Sequence, residues 1–152
     1  MLLSVLAAIV SFVPIVFARG LDWYEQLNRP AFAPPGWLLG PAWALVFLLM
    51  AIALYLAWQK WPAKEAKMGI SLYLTQLLLC VVWVYLLFGL QDSTGMLFAL
   101  AESVVLLAML ALTIERFYQL DRRAAYLLVP CLLWVAYLAV LTAALWQMNP
   151  GA

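Results

Sequence analysis

The 152-residue sequence contains no histidine, and only 10% of its residues are charged. Without histidine, the chain lacks the commonest metal ligand, the usual axial ligand of haem iron and the usual general base of enzymes. Soluble domains carry about 25% charged residues, so the scarcity of charge excludes a water-soluble globular protein. The net charge of only +1 excludes a nucleic-acid-binding protein, and two cysteines are too few for a disulfide framework.

Apolar residues make up 69% of the chain. A helix that crosses the hydrocarbon core of a bilayer needs about 20 such residues, and five stretches of about that length carry no charge in their interior except Glu102. They predict an all-α, polytopic membrane protein with one domain over residues 1–152, a bundle of five transmembrane helices. The helices are expected at about residues 2–18, 38–58, 68–90, 94–115 and 124–148.

The first stretch and the loops give the expected orientation. No basic residue precedes the first apolar run and no small-residue cleavage site follows it, which favours a retained transmembrane helix over a cleaved signal peptide. Residues 60–67 hold three lysines and residues 116–123 hold three arginines, whereas residues 19–29 hold two arginines. With five spans, the loops at residues 60–67 and 116–123 lie on the same side of the membrane as the N-terminus, and residues 19–29 lie on the other side. Because basic residues concentrate in cytoplasmic loops, the N-terminus is predicted to be cytoplasmic.

The most distinctive stretch lies between the first two predicted helices: residues 23–43 read WYEQLNRPAFAPPGWLLGPAW. Proline fixes φ and restricts the residue before it, so residues 20–36 are predicted to form an ordered, non-helical loop. Its aromatic side chains suit a lid across one end of the bundle, but they are also typical of a belt at the membrane interface. For Trp23, Trp37 and Trp43 both interpretations stay open.

This pattern, W-Y-x-x-L-x-x-P-x-x-x-P-P-x-W-x-x-x-P-x-W, resembles the translocator protein and tryptophan-rich sensory protein family. The likeness continues in LYLTQL at residues 72–77, ALAE at 99–102 and AAYLLVPCLLW at 124–134. It implies a five-helix bundle with an internal pocket roofed by the first loop, porphyrin (protoporphyrin IX) as ligand, a homodimer, and a bacterial cell membrane as location. In some bacterial members, tryptophans that match Trp43 and Trp134 take part in light-dependent porphyrin breakdown.

The sequence also departs from this family. Cys80 and Thr142 stand where the family usually has asparagine, so the pocket is expected to hydrogen-bond its ligand less or differently. The sterol motif of animal members needs a basic residue near the C-terminus, and nothing after Arg123 is basic. The sequence therefore argues against sterol binding.

Helical spacing groups the pocket candidates. Gln76, Cys80 and Trp83 share a face of the third predicted helix, and comparable faces on the second and fifth helices could enclose a flat aromatic ligand. A packed bundle core is the alternative. The candidate ligand-binding residues are Trp23, Tyr24, Trp37, Trp43, Phe47, Gln76, Cys80, Trp83, Glu102, Trp134 and Tyr137, with Trp43 and Trp134 as the photochemical candidates.

Glu102 has two interpretations. An acid inside a membrane span is costly and marks a functional site by default. The alternative is a protonated carboxyl that ties two helices together.

The family resemblance, together with the aromatic faces, favours a membrane sensor or regulator that binds a tetrapyrrole. Its expected partners are membrane lipid and a hydrophobic small molecule, and no cofactor is obligatory. Without histidine, the expected ligand is the metal-free ring. One alternative is a passive transporter of porphyrins, lipids or other hydrophobic molecules. Another is an enzyme; because the sequence shows no nucleophile–base pair or metal site, its reaction would have to be driven by light.

Overall fold

The computed structural model describes residues 19–61 and 64–151, and every regular element in this part of the chain is helical. The predicted helix at residues 2–18 lies outside the described residues. A π-helical turn, Tyr85–Gly89, extends the third helix by five residues. The α-helices are α1 (Gly20–Gln26), α2 (Gly36–Trp58), α3 (Lys64–Val84), α4 (Ser93–Leu120) and α5 (Arg122–Met148).

Four of these helices are long and apolar enough to cross a membrane: α2, α3 with its π-helical turn, α4 and α5 contain 23, 26, 28 and 27 residues. Each exceeds the roughly 20 residues that a bilayer requires. The fold is therefore that of an all-helical, polytopic membrane protein, as the sequence predicts.

Aspartates begin the last two helices. Asp92 accepts a 2.6 Å hydrogen bond from the backbone N–H of Gly95 at the start of α4, as is typical of an aspartate at a helix N-cap. Asp121 accepts a 2.8 Å bond from the N–H of Arg123 and alone separates α4 from α5. Helix α4 runs to Leu120, past the expected end near residue 115, because no helix-breaking residue intervenes and the buried Phe117 stacks on Tyr73.

The prediction that residues 20–36 are entirely non-helical is wrong for the first part of this stretch. Residues 20–26 form α1, which begins after Arg19 in the left-handed region at φ 53°. The N–H of Trp23 donates to the oxygen of Arg19 at 3.0 Å. The first proline after Arg19 is Pro30, so nothing in residues 20–26 removes a helical hydrogen bond. The irregular segment, here called loop one, is residues 27–35.

Packing places α4 between α3 and α5, while α2 packs against α5 and α3. Loop one lies at one end of the bundle, where α2 begins and α5 finishes. The turn after α2 and the junction at Asp121 lie at the other end. Apolar side chains on the outer faces, such as Leu78 and Val104, are exposed, as expected for surfaces that contact lipid.

Candidate functional site

Tyr24 on α1 is buried at the end of the bundle where loop one lies, and it holds loop one in place. Its hydroxyl donates a 2.9 Å hydrogen bond to the backbone oxygen of Pro34, and its ring lies 6.3 Å from the ring of Phe88 in the π-helical turn. The Arg29 guanidinium lies 5.3 Å from the Tyr24 ring centroid. Burial raises the pKa of Tyr24 above its ordinary value of 10.0, and the charge of Arg29 opposes part of that rise.

Two further contacts attach loop one to α5. The hydroxyl of Tyr137 donates a 2.9 Å hydrogen bond to the backbone oxygen of Phe32. At the end of α5, the Asn149 side chain accepts from the N–H of Asn28 at 2.9 Å and donates to the oxygen of Asn28 at 3.0 Å. Loop one is therefore held at both its start and its middle by residues more than 100 positions away in the chain.

A wide-open apolar cavity of about 520 Å³ lies beside Pro34 of loop one, between the start of α2 and the outer side of α5. This volume falls within the roughly 300–1,000 Å³ of small-molecule sites. Leu133 is 64% exposed on the membrane-facing side, so the cavity opens sideways toward lipid. We call it the lateral cavity; its lining residues are Pro34, Leu38, Pro130, Leu133, Trp134 and Tyr137.

A second, polar cavity of about 510 Å³ lies on loop one itself. Arg29 and Asn28 supply its polar groups, and Pro35 borders it next to the Pro34 of the lateral cavity. The apolar cavity and the positively charged polar cavity therefore adjoin each other at Pro34 and Pro35 of loop one. Its lining residues are Leu27, Asn28, Arg29, Pro30, Ala33 and Pro35.

The predicted pocket residues of α2 and α3 pack against one another in the bundle interior. Trp43 stacks on Phe47 with ring centroids 5.5 Å apart, and lies 5.8 Å from Trp83. Trp83 lies 6.4 Å from Phe88, which in turn contacts Tyr24. A continuous series of ring contacts therefore runs from Tyr24 on α1 into the core, and we call these five side chains the aromatic chain.

Trp134 belongs to a separate group. Its ring lies 5.5 Å from that of Tyr137, whose ring meets Phe32 edge-on at 6.5 Å. The structure therefore divides the predicted site: the Trp134 and Tyr137 face borders the lateral cavity, while the Trp43 face belongs to the aromatic chain.

Several buried polar groups have no hydrogen-bond partner within the described part of the chain. They include the indole N–H groups of Trp43 and Trp134, both ends of the Gln76 amide, and both carboxyl oxygens of Glu102. By contrast, the Trp83 indole donates to the Ser103 hydroxyl at 2.9 Å. Unpaired polar groups are costly in a membrane interior, so these atoms would be stabilised by a partner that the described residues do not supply.

The remaining predicted residues differ in exposure. Trp23 is half-buried against the core, whereas Trp37 is 70% exposed at the start of α2, a position typical of an interfacial anchor. Cys80 is buried on the same face of α3 as Gln76.

Sequence reasoning missed three residues that organise this region. Ser103, which bonds Trp83, carries a usable signal, because small polar residues inside a span usually face a neighbouring helix. Phe88 and Asn149 have no comparable local signal. Their roles depend on the π-helical turn and on the return of α5 to loop one.

Together these features define a class: an all-helical, multi-pass membrane protein with a proline-rich loop, flanked by tryptophans, fastened beside a cavity that Trp134 and Tyr137 line. The model of the TspO/MBR family matches residues 1–147. The chain therefore belongs to the TspO/MBR family.

Relatives come from all three domains of life. The chain is 34% identical to the tryptophan-rich protein TspO of Archaeoglobus fulgidus, across 97% of this chain and 98% of the relative. It is 33% identical to the human translocator protein, across 90% and 80%. It is 32% identical to the tryptophan-rich sensory protein of Cereibacter sphaeroides, across 74% and 68%. These similarities support a membrane sensor or translocator role.

Proposed function

We propose that this protein is a membrane sensor that binds a metal-free tetrapyrrole, such as protoporphyrin IX, in the lateral cavity. The observation that carries this proposal is a wide-open apolar cavity of about 520 Å³ with Trp134 and Tyr137 in its wall and Pro34 of loop one at its edge. A flat aromatic ring would pack against these side chains.

The adjacent polar cavity supports the same ligand class. Protoporphyrin carries two carboxylates on one edge of an otherwise apolar plate, and Arg29 lies in the polar cavity beside the lateral one. Charge-assisted hydrogen bonds from arginine to carboxylate are among the strongest available in proteins. We propose that the ring occupies the lateral cavity while its carboxylates reach toward Arg29.

Titration of the purified protein with protoporphyrin IX in the dark, followed by the absorbance of the porphyrin, tests this proposal. We expect saturable binding that weakens in Leu38→Phe, which fills the cavity, and in Arg29→Gln. Leu48→Phe is the matched control, because Leu48 is 55% exposed on α2 and outside the cavity lining. Non-saturable uptake, or equal weakening by Leu38→Phe and Leu48→Phe, would contradict the proposal.

Light-dependent porphyrin breakdown is a second part of the proposal. Trp134 lines the lateral cavity, so it is the indole placed to donate one electron to a photoexcited ring there, which would give an indole radical cation and a porphyrin radical anion. Trp43 is 2% exposed within the aromatic chain. We expect porphyrin loss under illumination to slow in Trp134→Phe and to change less in Trp43→Phe. Equal rates in the wild type and both variants would remove the photochemical role.

The sideways opening of the lateral cavity favours one alternative function, passive translocation of hydrophobic molecules. Flux of porphyrin into proteoliposomes separates the two functions: a sensor binds porphyrin without accelerating its entry, whereas a translocator accelerates it.

For location, we propose a bacterial cell membrane. The loop charges support an orientation with the N-terminus in the cytoplasm. Labelling of a cysteine introduced at Lys60 with a membrane-impermeant reagent tests this orientation, and labelling in intact cells would contradict it. A homodimer stays a prediction.

A further inference from the structure

The end of the bundle opposite loop one carries most of the positive charge of the chain. The fold brings its two basic segments together: a Cβ atom at Gly69 on α3 would lie 3.5 Å from the Cβ of Arg116 on α4. Three acidic residues accompany six basic ones here, whereas loop-end residues 19–29 and 92 hold three acidic residues and two basic ones. We call this surface the basic end; its cations are Lys60, Lys64, Lys67, Arg116, Arg122 and Arg123.

Exposed aromatic rings hold two of these cations in place. Trp58 and Trp61 stack with centroids 5.2 Å apart and planes 9° from parallel, and the Lys67 ammonium lies 5.4 Å from the Trp61 ring. The Arg122 guanidinium lies 5.3 Å from the Tyr118 ring. Tryptophan and tyrosine at a membrane interface sit at the depth of the lipid headgroups. The cations bound to these rings are therefore at headgroup depth.

The cations of the basic end have no anionic partner in the described residues. Within residues 19–61 and 64–151, none of the six forms an ion pair, and the Nε of Arg116 is buried without a hydrogen-bond partner. Asp121 accepts from the backbone N–H of Arg123, a bond that caps α5. The basic end thus has a net positive charge, and none of its six cations forms an ion pair with its three acidic residues in the described part of the chain.

We propose that the basic end binds the headgroup phosphates of anionic phospholipids in the adjacent leaflet. Guanidinium groups match phosphate oxygens in a bidentate geometry, and basic residues at an anionic membrane surface are attracted to it. The cation–π contacts orient Lys67 and Arg122 at low entropic cost, because their side chains are already positioned. A lipid fits this surface better than a soluble anion, since exposed Tyr118 and Trp58 adjoin the membrane-facing sides of their helices.

The test uses the full chain reconstituted in phosphatidylcholine bilayers. Trace spin-labelled phosphatidylglycerol and phosphatidylcholine are compared by electron paramagnetic resonance, which gives their relative association constants with the protein. We expect the wild type to prefer phosphatidylglycerol and the preference to shrink as salt rises. Lys67→Gln and Arg122→Gln should each lower the ratio by about twofold or more, within the roughly fivefold effect of one basic residue at an anionic surface.

Arg19→Gln is the matched control, because it removes the same charge from an exposed residue at the opposite end. It should leave the ratio unchanged. A wild-type ratio of one, or an equal decrease in all three variants, would overturn the proposal. Displacement of the labelled lipid by soluble glycerol phosphate would also overturn it, since the site would then recognise free phosphate. Because neither Lys67 nor Arg122 lines the lateral cavity, this result is independent of porphyrin binding.

Discussion

The hydroxyl of Tyr137 donates a 2.9 Å hydrogen bond to the backbone oxygen of Phe32, and the same tyrosine lines the lateral cavity. One side chain therefore both lines the cavity and fastens loop one beside it. A molecule that displaced the Tyr137 ring would strain this bond, and in that way occupancy of the cavity would be coupled to the position of loop one. Such coupling is what a membrane sensor requires.

Tyr137→Phe removes the hydroxyl and keeps the ring. A neutral hydrogen bond contributes about 1 kcal/mol, so we expect amide hydrogen exchange of residues 28–33 to accelerate by about fivefold. Tyr126→Phe is the control, because Tyr126 is 62% exposed on the same helix and far from loop one. Unchanged exchange in Tyr137→Phe would show that the bond does not hold the loop.

Asn149→Ala removes the second attachment of loop one. The asparagine makes three hydrogen bonds, two with Asn28 and one of 2.8 Å to the oxygen of Leu145. Leaving these backbone groups unpaired should cost about 1–3 kcal/mol, measured as a lower free energy of unfolding in detergent. Gln147→Ala, an exposed neighbour, should change that free energy little. Equal effects of the two substitutions would contradict the role of Asn149.

We expect the hydroxyl of Tyr24 to ionise at a higher pH than that of an ordinary tyrosine. Its pKa is raised above 10.0 by burial, so its contribution to loop closure is complete below about pH 10 and is lost as pH rises through the raised pKa. The difference in tyrosinate absorbance between the wild type and Tyr24→Phe isolates this titration. Arg29→Gln should move the midpoint further upward, since the guanidinium favours the tyrosinate. A midpoint at or below 10 would contradict the burial of Tyr24.

Local features of this fold follow from the sequence. Asp92 precedes Gly95 by three residues, so its capping bond is predictable from residue type and spacing alone. The stack of Trp43 on Phe47, four positions apart on one helix, is likewise a matter of helical period.

The division of the site could not be predicted in the same way. Helical spacing states which residues share a face of one helix, but it leaves open how that helix is rotated against its neighbours. Trp43 and Trp134 were expected to face one pocket, yet one lies in the aromatic chain and the other at the lateral cavity. The contact of Tyr137 with Phe32 joins residues 105 positions apart, and no local pattern encodes it.

Trp83 and Ser103 form a hydrogen bond between α3 and α4 that should stabilise the bundle. Interhelical hydrogen bonds in membranes contribute about 0.6 kcal/mol on average and up to about 1.7 kcal/mol. We expect Ser103→Ala to lower the free energy of unfolding by about this amount, and a double-mutant cycle with Trp83→Phe to show coupling. Ser71→Ala is the control, because the Ser71 hydroxyl bonds only within its own helix, to Lys67. Additive effects in the cycle would exclude the contact.

Gly95 is required where α4 passes the π-helical turn. A Cβ atom on Gly95 would overlap the backbone oxygen of Leu86 and lie 2.8 Å from the Cβ of Leu90. Neither neighbour is a flexible side-chain end, so the backbone must move. We expect Gly95→Ala to destabilise the protein by about 1–3 kcal/mol, measured by unfolding in detergent. Gly151→Ala, where nothing lies within 4 Å, should be neutral. If Gly95→Ala left the free energy of unfolding unchanged, the close contact between α4 and the π-helical turn would not be what holds the two together. The position of Phe88 against Tyr24 would then depend on other contacts.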